Sequence, residues 1–302
     1  MSDLTSRLRG SIAPLVTPFQ EDGTIDARTV RELIDHQVQA GSHGISVTGT
    51  TGEPGALTFD ERLQMIDLGS DAVAGRLPFV PGTGTHQLPE TIALTRRAAE
   101  SGADAALVIV PYYARPTQDG LYAWYSEVAE AVDIPIIMYN IPSRTGVELA
   151  PKTVGRLWRD VPNIIGMKEA SPDFAHANFV LRETGPDFLL YSGLEALCFP
   201  MLAIGGAGFI SVTANLVPRE IARMYEAVTE GRWEEARELH FRLLDLNDVV
   251  LTETNPTAVK WLMSRAGLIG PGLRAPLVPL SEDGQRRVRA AASSWGLVGE
   301  AR

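Results

Sequence analysis

The sequence predicts an α/β protein, a (β/α)8 TIM barrel followed by a C-terminal all-helical extension. Short apolar segments alternate with longer amphipathic segments, eight apolar segments can be counted, and none follows residue 217. A chain of 302 residues is long enough for one large barrel with additional helices. A doubly wound open sheet is the alternative, but it usually has fewer strands and leaves some segments unexplained.

The eight apolar segments are the predicted strands. Several are apolar at nearly every position, as expected of parallel strands that are covered on both faces. The gaps between them are long enough for one helix each, so each segment begins one βα unit. In chain order the segments cover residues 11–17, 44–48, 78–82, 105–110, 135–139, 164–168, 188–192 and 208–212.

Helix-start signals lie in the gaps between these segments. Thr58 and Glu61 have the spacing of a capping box, which predicts a helix that runs toward residue 74. Ser171 as N-cap, Pro172 at the first helical position and Asp173 in the first turn predict another helix. The amphipathic segments are therefore expected to be helical.

The chain changes character after the eighth apolar segment. Residues 218 to about 267 indicate consecutive helices with no strand between them, and a further helix is expected from about 281 to 294. We therefore predict a catalytic barrel over residues 1–217 and a helical region over residues 218–302 that packs on it.

Composition and charge argue against several classes of protein. A net charge of −10 without a basic run of five or more residues argues against nucleic-acid partners, because such surfaces need clustered cations. The single cysteine, Cys198, lies in an apolar stretch, which favours a buried thiol and a reducing, cytoplasmic location. The N-terminus lacks the apolar core of a signal peptide, and no apolar run approaches the ~18 residues of a membrane span. We expect neither secretion nor a membrane partner.

The chain contains only three lysines, which limits amine chemistry to three candidates. Lys152 and Lys260 lie within predicted helices, and both are expected to be solvated or to extend their amines to solvent. Lys168 ends the sixth apolar segment, at the mouth of the barrel where the carboxyl ends of the strands meet. Burial there favours the neutral amine that attacks a carbonyl. A structural lysine paired with Glu169 is the alternative.

Groups that can assist such an amine end neighbouring predicted strands. The Tyr139 phenol can transfer protons, and Arg144 can bind a carboxylate with two parallel hydrogen bonds. Thr50 and Thr51, between two glycines, offer hydroxyl and amide donors to a small carboxylate. The alternatives are a packed tyrosine, a surface arginine and an ordinary Gly/Thr turn. The five histidines form no H-x-H or H-E-x-x-H pair, so no metal site is expected.

Five motifs together resemble the dihydrodipicolinate synthase and N-acetylneuraminate lyase family. They occur in the family's order and spacing and cover nearly the whole chain. The motifs are GTTGE at 49–53, YY at 112–113, YNIPSRTG at 139–146, GMKEA at 166–170 and GFISVTAN at 208–215.

The resemblance implies class I aldolase chemistry without a metal or an organic cofactor. Lys168 would form a Schiff base with pyruvate or another 2-oxo acid, and Tyr139 would act as acid and base at the imine. Thr50 and Thr51 would bind the carboxylate of the 2-oxo acid and join a proton relay that is completed by Tyr113. In the family this tyrosine crosses a subunit interface, and the usual assembly is a homotetramer built as a dimer of dimers.

The resemblance also implies the substrate-binding residues and the reaction. Arg144 would receive the carboxylate of the second substrate, an aldehyde, while Ile210 and Gly193 would line the pyruvate pocket. The motifs are closest to the synthase branch, which makes 4-hydroxy-tetrahydrodipicolinate from pyruvate and aspartate semialdehyde for lysine biosynthesis. A catabolic aldolase or dehydratase for a 2-oxo sugar acid, N-acetylneuraminate or an aromatic pyruvate derivative is the enzymatic alternative. A catalytically silent barrel that senses a 2-oxo acid is the non-enzymatic one.

The sequence departs from lysine-inhibited members of the family. Those members tend to carry Ser and His at the positions of Pro54, Phe59 and Arg62, and Asn at the position of His86, although Glu90 and Tyr112 match. Proline and phenylalanine remove donors that an amino-acid effector needs. We therefore expect no inhibition by L-lysine. Leu194 also stands where the synthases often carry an acid, which leaves the aldehyde open.

Overall fold

The structure, a computed structural model, describes residues 2–298 and contains the predicted (β/α)8 barrel. Within these residues, seven parallel strands lie in the order β2-β1-β7-β6-β5-β4-β3. They are β1 Gly10–Pro14, β2 Gly44–Ser46, β3 Ala106–Ile109, β4 Ile136–Asn140, β5 Ile164–Glu169, β6 Leu189–Ser192 and β7 Gly208–Ile210.

The third predicted strand closes the barrel as an irregular segment. Parallel bridges join Phe79 to Ile45 of β2 and Gly82 to Leu107 of β3. The Leu107 N–H donates to the carbonyl of Pro81 at 2.9 Å. Pro81 itself has no N–H to donate, which interrupts a regular ladder. All eight predicted segments therefore form the wall of the barrel, but the segment at 79–82 is joined to its neighbours by isolated bridges and is not a full strand.

The helices fill the gaps between the strands and then continue alone after β7. No helix within residues 2–298 is long and apolar enough to cross a membrane. The α-helices are α1 Ser2–Arg7, α2 Ala27–Ala40, α3 Phe59–Val73, α4 Leu88–Glu100, α5 Gln118–Glu130, α6 Pro142–Thr145, α7 Pro151–Asp160, α8 Phe174–Thr184, α9 Cys198–Ala203, α10 Pro218–Thr229, α11 Trp233–Val249, α12 Thr257–Arg265 and α13 Glu282–Ser293. Short 3-10 helices cover Thr50–Gly52, Pro54–Ala56, Glu195–Leu197 and Val212–Asn215.

One of the two predicted helix starts is confirmed and the other is corrected. The capping box of α3 is present: Thr58 Oγ1 accepts from the Glu61 N–H at 3.2 Å, and the Glu61 carboxylate accepts from the Thr58 N–H at 2.9 Å. The cap of α8 is Asp173, whose carboxylate accepts from the Ala175 N–H at 2.9 Å. Ser171 therefore lies before the cap, because the aspartate reaches the free N–H groups of the first turn.

The barrel and the C-terminal helices share one hydrophobic core. Leu243 of α11 and Val259 of α12 lie in the same buried cluster as Leu15 and Val47 from the first half of the chain. The helices after β7 thus pack on the barrel, as expected. The division at residue 217 stays a prediction, since the cluster runs across it without a break.

The single cysteine is buried, as predicted. Its Sγ lies 3.5 Å from the Leu194 carbonyl. Burial raises the pKa of the Cys198 thiol well above its ordinary value, because the thiolate would lose its hydration. Cys198 is therefore held as a neutral thiol in the core.

Candidate active site

Lys168, Tyr139 and Thr50 meet at the mouth of the barrel. Lys168 and Tyr139 lie in register near the carboxyl ends of β5 and β4, and both side chains are buried. The Lys168 Nζ lies 4.5 Å from the centroid of the Tyr139 ring, and the Tyr139 hydroxyl lies 3.5 Å from the Thr50 hydroxyl. The carboxyl ends of parallel strands meet at one edge of the barrel, which brings these distant residues together. An amine, a phenol and an alcohol thus lie side by side at the barrel mouth.

Gly193 leaves the space in which Lys168 lies. A Cβ atom at Gly193 would come within 2.6 Å of Lys168 Cε and within 3.0 Å of Ala170 Cβ. Gly193 directly follows β6, the strand that pairs with β5 on the side away from Tyr139. The lysine side chain is therefore confined between a glycine and an aromatic ring.

The two threonines after β2 face different neighbours. Thr50 is half-buried and faces Tyr139, whereas Thr51 is buried and its Oγ1 accepts a hydrogen bond from Asn255 Nδ2 at 3.0 Å. Asn255 lies two residues before α12 in the C-terminal helical region. The Thr50 hydroxyl therefore contacts Tyr139, whereas the Thr51 hydroxyl is oriented by a residue of the C-terminal region.

A vestibule of about 390 Å³ opens beside Thr50. Its lining includes Thr50, Tyr112, Arg144, Asn255 and Leu277, which come from both the barrel and the C-terminal region. A smaller inner cavity of about 70 Å³ is lined by Thr50 and Tyr139 among others. Arg144 donates to the Thr254 hydroxyl at 3.3 Å and to the Asn255 carbonyl at 3.2 Å. The Arg144 side chain thus lines the vestibule and contacts the C-terminal region.

Ile210 and Tyr113 occupy opposite extremes of exposure. Ile210, in β7, is fully buried in the barrel interior with Tyr139. Tyr113 is 93% exposed and has a φ of 72°, a left-handed conformation that is uncommon for tyrosine. Within one chain, Ile210 therefore packs beneath Tyr139, whereas Tyr113 lies in solvent away from Lys168 and Tyr139.

Comparison with known proteins identifies the family. Residues 7–294 match the model of the dihydrodipicolinate synthetase family. The chain belongs to this family. It is similar to the 4-hydroxy-tetrahydrodipicolinate synthase of Thermus thermophilus, at 49% identity over 291 residues, which cover 96% of this chain and 97% of that protein. The resemblance drawn from the five motifs is confirmed, and with it a lyase of the class I aldolase type.

Solved structures of family members agree with the fold. The dihydrodipicolinate synthase of Aquifex aeolicus superposes with a TM-score of 0.94 at 40% identity, covering 97% of this chain and 100% of that one. A chloride-inhibited dihydrodipicolinate synthase from Acinetobacter baumannii, solved in complex with pyruvate, gives a TM-score of 0.93 at 36% identity, covering 96% of this chain and 100% of that one. The barrel with its C-terminal helices is therefore the architecture of these enzymes.

Glu169 is not the partner of Lys168 in this family member. Its carboxylate accepts from Asn140 Nδ2 at 3.0 and 3.1 Å and from the Ser171 N–H at 2.7 Å, and His176 Nδ1 lies 2.7 Å away. Burial opposes a charge on His176, but the adjacent Glu169 carboxylate more than offsets it and raises the pKa of His176. Glu169 is thus paired with Asn140, Ser171 and His176, and it does not form an ion pair with Lys168 at the barrel mouth.

Glu195 is a buried carboxyl group that sequence reasoning missed. It accepts hydrogen bonds from the Ser211 hydroxyl at 2.6 Å and from the Val212 N–H at 2.7 Å, which ties the loop after β6 to the end of β7. Burial raises the pKa of Glu195, although these two hydrogen bonds and the positive charge of Lys168 act in the opposite direction. The charge of Lys168 therefore lowers the pKa of a buried acid that follows the neighbouring strand β6, against the effect of burial.

The prediction for Lys260 was wrong, whereas Lys152 is exposed as expected. The Lys260 amine is buried, donates to Glu53 Oε1 at 2.6 Å and to the Thr17 carbonyl at 2.9 Å, and lies 4.4 Å from the Phe19 ring centroid. Burial lowers the pKa of Lys260, and the Glu53 charge counteracts it. The missed signal is the apolar surroundings of Lys260 on its own helix, since a lysine on a buried face needs an acidic partner.

Proposed function

We propose that this protein is a 4-hydroxy-tetrahydrodipicolinate synthase, which condenses pyruvate with aspartate semialdehyde. The observation that carries the proposal is the contact chain from Lys168 through Tyr139 to Thr50 at the barrel mouth. The name of the Thermus relative supports it, as does the pyruvate bound by the Acinetobacter relative. The reaction belongs to lysine biosynthesis and fits a cytoplasmic enzyme.

The first half of the reaction takes place on Lys168. Its neutral amine attacks the ketone carbon of pyruvate, and loss of the carbonyl oxygen as water leaves an iminium ion. The iminium withdraws electrons, so a methyl proton can leave and an enamine forms. The Schiff base is itself the electron sink, and the proposed reaction requires neither a metal nor an organic cofactor.

Tyr139 and Thr50 transfer the protons of these steps. The carbinolamine needs a proton on its departing oxygen, and the hydroxyl of Tyr139, whose ring centroid lies 4.5 Å from the lysine amine, provides it. Its hydroxyl regains a proton through Thr50, 3.5 Å away. Thr51, which already accepts from Asn255, keeps its own O–H free to donate to the carboxylate of pyruvate. Ile210 and Gly193 shape the floor and wall around Lys168.

The second half joins the enamine to the aldehyde. The enamine carbon attacks the aldehyde carbon, a carbon–carbon bond forms, and the aldehyde oxygen takes up a proton. The amino group of the substrate then displaces the amine of Lys168 from the imine carbon. Arg144 binds the carboxylate of the semialdehyde in the vestibule by exchanging its present contacts with Thr254 and Asn255 for two parallel hydrogen bonds.

We also propose that the enzyme is a homotetramer in which Tyr113 reaches the site of a neighbouring subunit. A tyrosine that is 93% exposed and held at a positive φ costs free energy in an isolated chain. An interface between subunits would bury the ring and offset this cost. Tyr113 would then complete the proton relay of Tyr139 and Thr50.

We propose that L-lysine does not inhibit this enzyme. Pro54 cannot donate a backbone hydrogen bond to an effector. The buried Arg62 guanidinium already donates to the carbonyls of Gly82 and Gly84, both at 3.2 Å. An amino-acid effector would have to break these hydrogen bonds without a replacement.

Reductive trapping tests the proposed function. Borohydride added with pyruvate should attach a pyruvate-derived adduct to Lys168, to be located by mass spectrometry, and Lys168→Arg should abolish it. Lys152→Met is the matched control and should leave trapping unchanged, because Lys152 is exposed and lies in the first turn of α7, not on a barrel strand. Turnover with aspartate semialdehyde should exceed turnover with a panel of 2-oxo-3-deoxy acids. Absence of the adduct, or preference for the sugar acids, would contradict the proposal.

A further inference from the structure

We propose that Lys260 is a positioning residue that holds the carboxylate-binding loop, residues 49–53, in its active geometry by acting through Glu53. Lys260 lies in α12, outside the barrel, and Glu53 ends the loop that carries Thr50 and Thr51. The inference rests on the proposed function, in which this loop binds pyruvate. It makes the C-terminal helical region a working part of the active site.

Both oxygens of the Glu53 carboxylate are held from the C-terminal region. Oε1 accepts from the Lys260 amine at 2.6 Å, and Oε2 accepts from the Arg274 N–H at 3.2 Å. The Lys260 and Glu53 side chains are 2% and 1% exposed, so water does not compete for these contacts. The carboxylate is therefore fixed at two points, and the end of the loop moves only if the C-terminal region moves.

Lys260 is also linked to the loop by a second route. Its amine donates to the Thr17 carbonyl at 2.9 Å, and the Thr17 hydroxyl donates to the Gly52 carbonyl at 2.7 Å. Gly52 immediately follows the two threonines. One ammonium group thus connects to the loop at Gly52 through Thr17 and at Glu53 directly.

The loop needs external support because its backbone is strained. Glu53 has a φ of 55°, in the left-handed region that costs free energy for a residue with its side chain. Such conformations persist where surrounding contacts over-determine them. The contacts of Glu53 with Lys260 and Arg274 are of this kind, and they lie three residues or fewer from Thr50 and Thr51.

Asn255 adds an independent contact from the same region. Its amide donates to the Thr51 hydroxyl at 3.0 Å, which sets the direction in which that hydroxyl can donate. Asn255 and Lys260 are five residues apart and contact the loop at its middle and its end. The C-terminal region therefore controls both the backbone and one hydroxyl of the loop.

A role in stability alone makes a different prediction from a positioning role. Removing one member of a buried ion pair leaves an unpaired charge, whereas removing both charges often restores stability. If the ion pair of Lys260 with Glu53 only stabilises the fold, a variant that lacks the two charges should regain both its pyruvate affinity and its thermal midpoint. If the pair positions the loop, pyruvate affinity should stay low after the thermal midpoint has recovered.

The test compares Lys260→Met, the double variant with Glu53→Gln and Lys260→Met, and the control Lys152→Met. We expect both Lys260 variants to raise the KM for pyruvate by about tenfold or more, because small displacements of substrate-positioning groups cost up to about a hundredfold. The KM for aspartate semialdehyde should change much less. The double variant should melt closer to the wild type than Lys260→Met does. Asn255→Ala, which leaves no buried charge, should also raise the KM for pyruvate.

Several results would overturn the inference. A folded Lys260→Met with the wild-type KM for pyruvate would do so, and so would a double variant in which the thermal midpoint and this KM recover together. If Lys260→Met and the double variant both fail to fold, an unchanged KM for pyruvate in Asn255→Ala would show that the C-terminal region does not position the loop at 49–53. Failure of the wild type and Lys152→Met to form a pyruvate adduct would instead refute the proposed function on which the inference rests.

Discussion

Gly193→Ala should slow the chemistry of Lys168 while leaving the fold almost intact. The added Cβ would lie 2.6 Å from Lys168 Cε, 3.0 Å from Ala170 Cβ and 3.1 Å from Lys168 Cγ. Non-bonded carbon atoms prefer separations of about 3.5–4.0 Å, so the lysine side chain must move by about 1 Å. The outer part of a lysine side chain rotates easily, so the closest clash is relieved there, whereas the 3.0 Å contact with Ala170 Cβ requires a shift of the backbone by a few tenths of an ångström.

The predicted effect therefore separates activity from stability. A displacement of about 1 Å at a reacting group can cost about a hundredfold in rate, since the amine no longer meets the ketone carbon in line. The free energy of unfolding should fall by only about 1 kcal/mol, the cost of an altered side-chain rotamer. We expect the rate constant for borohydride-trapped adduct formation, and kcat/KM for pyruvate, to fall by about ten- to a hundredfold.

A matched glycine provides the control. Gly270→Ala would bring its Cβ no closer than 3.5 Å to the Phe19 carbonyl, which is ordinary van der Waals contact. Its adduct formation and thermal midpoint should match those of the wild type. Adduct formation at the wild-type rate in Gly193→Ala would show that Lys168 does not depend on the space that Gly193 leaves, and would refute the reasoning.

Three further predictions concern the vestibule, the buried histidine and the effector. Arg144→Ala should raise the KM for aspartate semialdehyde by about ten- to a hundredfold, because a charged hydrogen bond is lost, while pyruvate trapping stays normal; steady-state kinetics with each substrate would test this. The raised pKa of His176 means that its contribution to stability is full below the ordinary histidine value of 6.5 and is lost as the pH rises through the raised value. The thermal midpoint of the wild type minus that of His176→Gln should therefore fall as the pH rises through the raised pKa of His176. A difference that stays constant with pH would argue against the charged pair with Glu169. Millimolar L-lysine should leave the rate unchanged, and saturable inhibition would disprove this.

The location of Lys168 could be derived from the sequence because the signal is local. An apolar run predicts a buried strand, and a lysine at the carboxyl end of such a strand must lie at the barrel mouth. Tyr139 and Thr50 follow from the same rule, although 89 residues separate them. For these residues, strand order and strand direction already determine the meeting point.

Lys260 could not be placed in this way, because its partner lies 207 residues away in a loop. Helix periodicity indicates which face of α12 is apolar, but it does not specify which acid that face will meet. The same limit applies to Asn255 and Thr51, and to Glu195 and Ser211, whose contacts depend on how the C-terminal helices and the loops pack. Exposure is likewise a tertiary property, and a tyrosine doublet in the sequence does not reveal that Tyr113 is 93% exposed.

The sequence by itself therefore determined the barrel, the place of Lys168 at its mouth and the family. These depend on residue type and on spacing along the chain, which repeat from one βα unit to the next. Only the tertiary structure decided how the loop at 49–53 is held, where Glu169 finds its partners and how closely Gly193 lies to Lys168. Those features depend on distances between segments far apart in the chain, and such distances are set when the C-terminal helices and the barrel bury their apolar faces against each other.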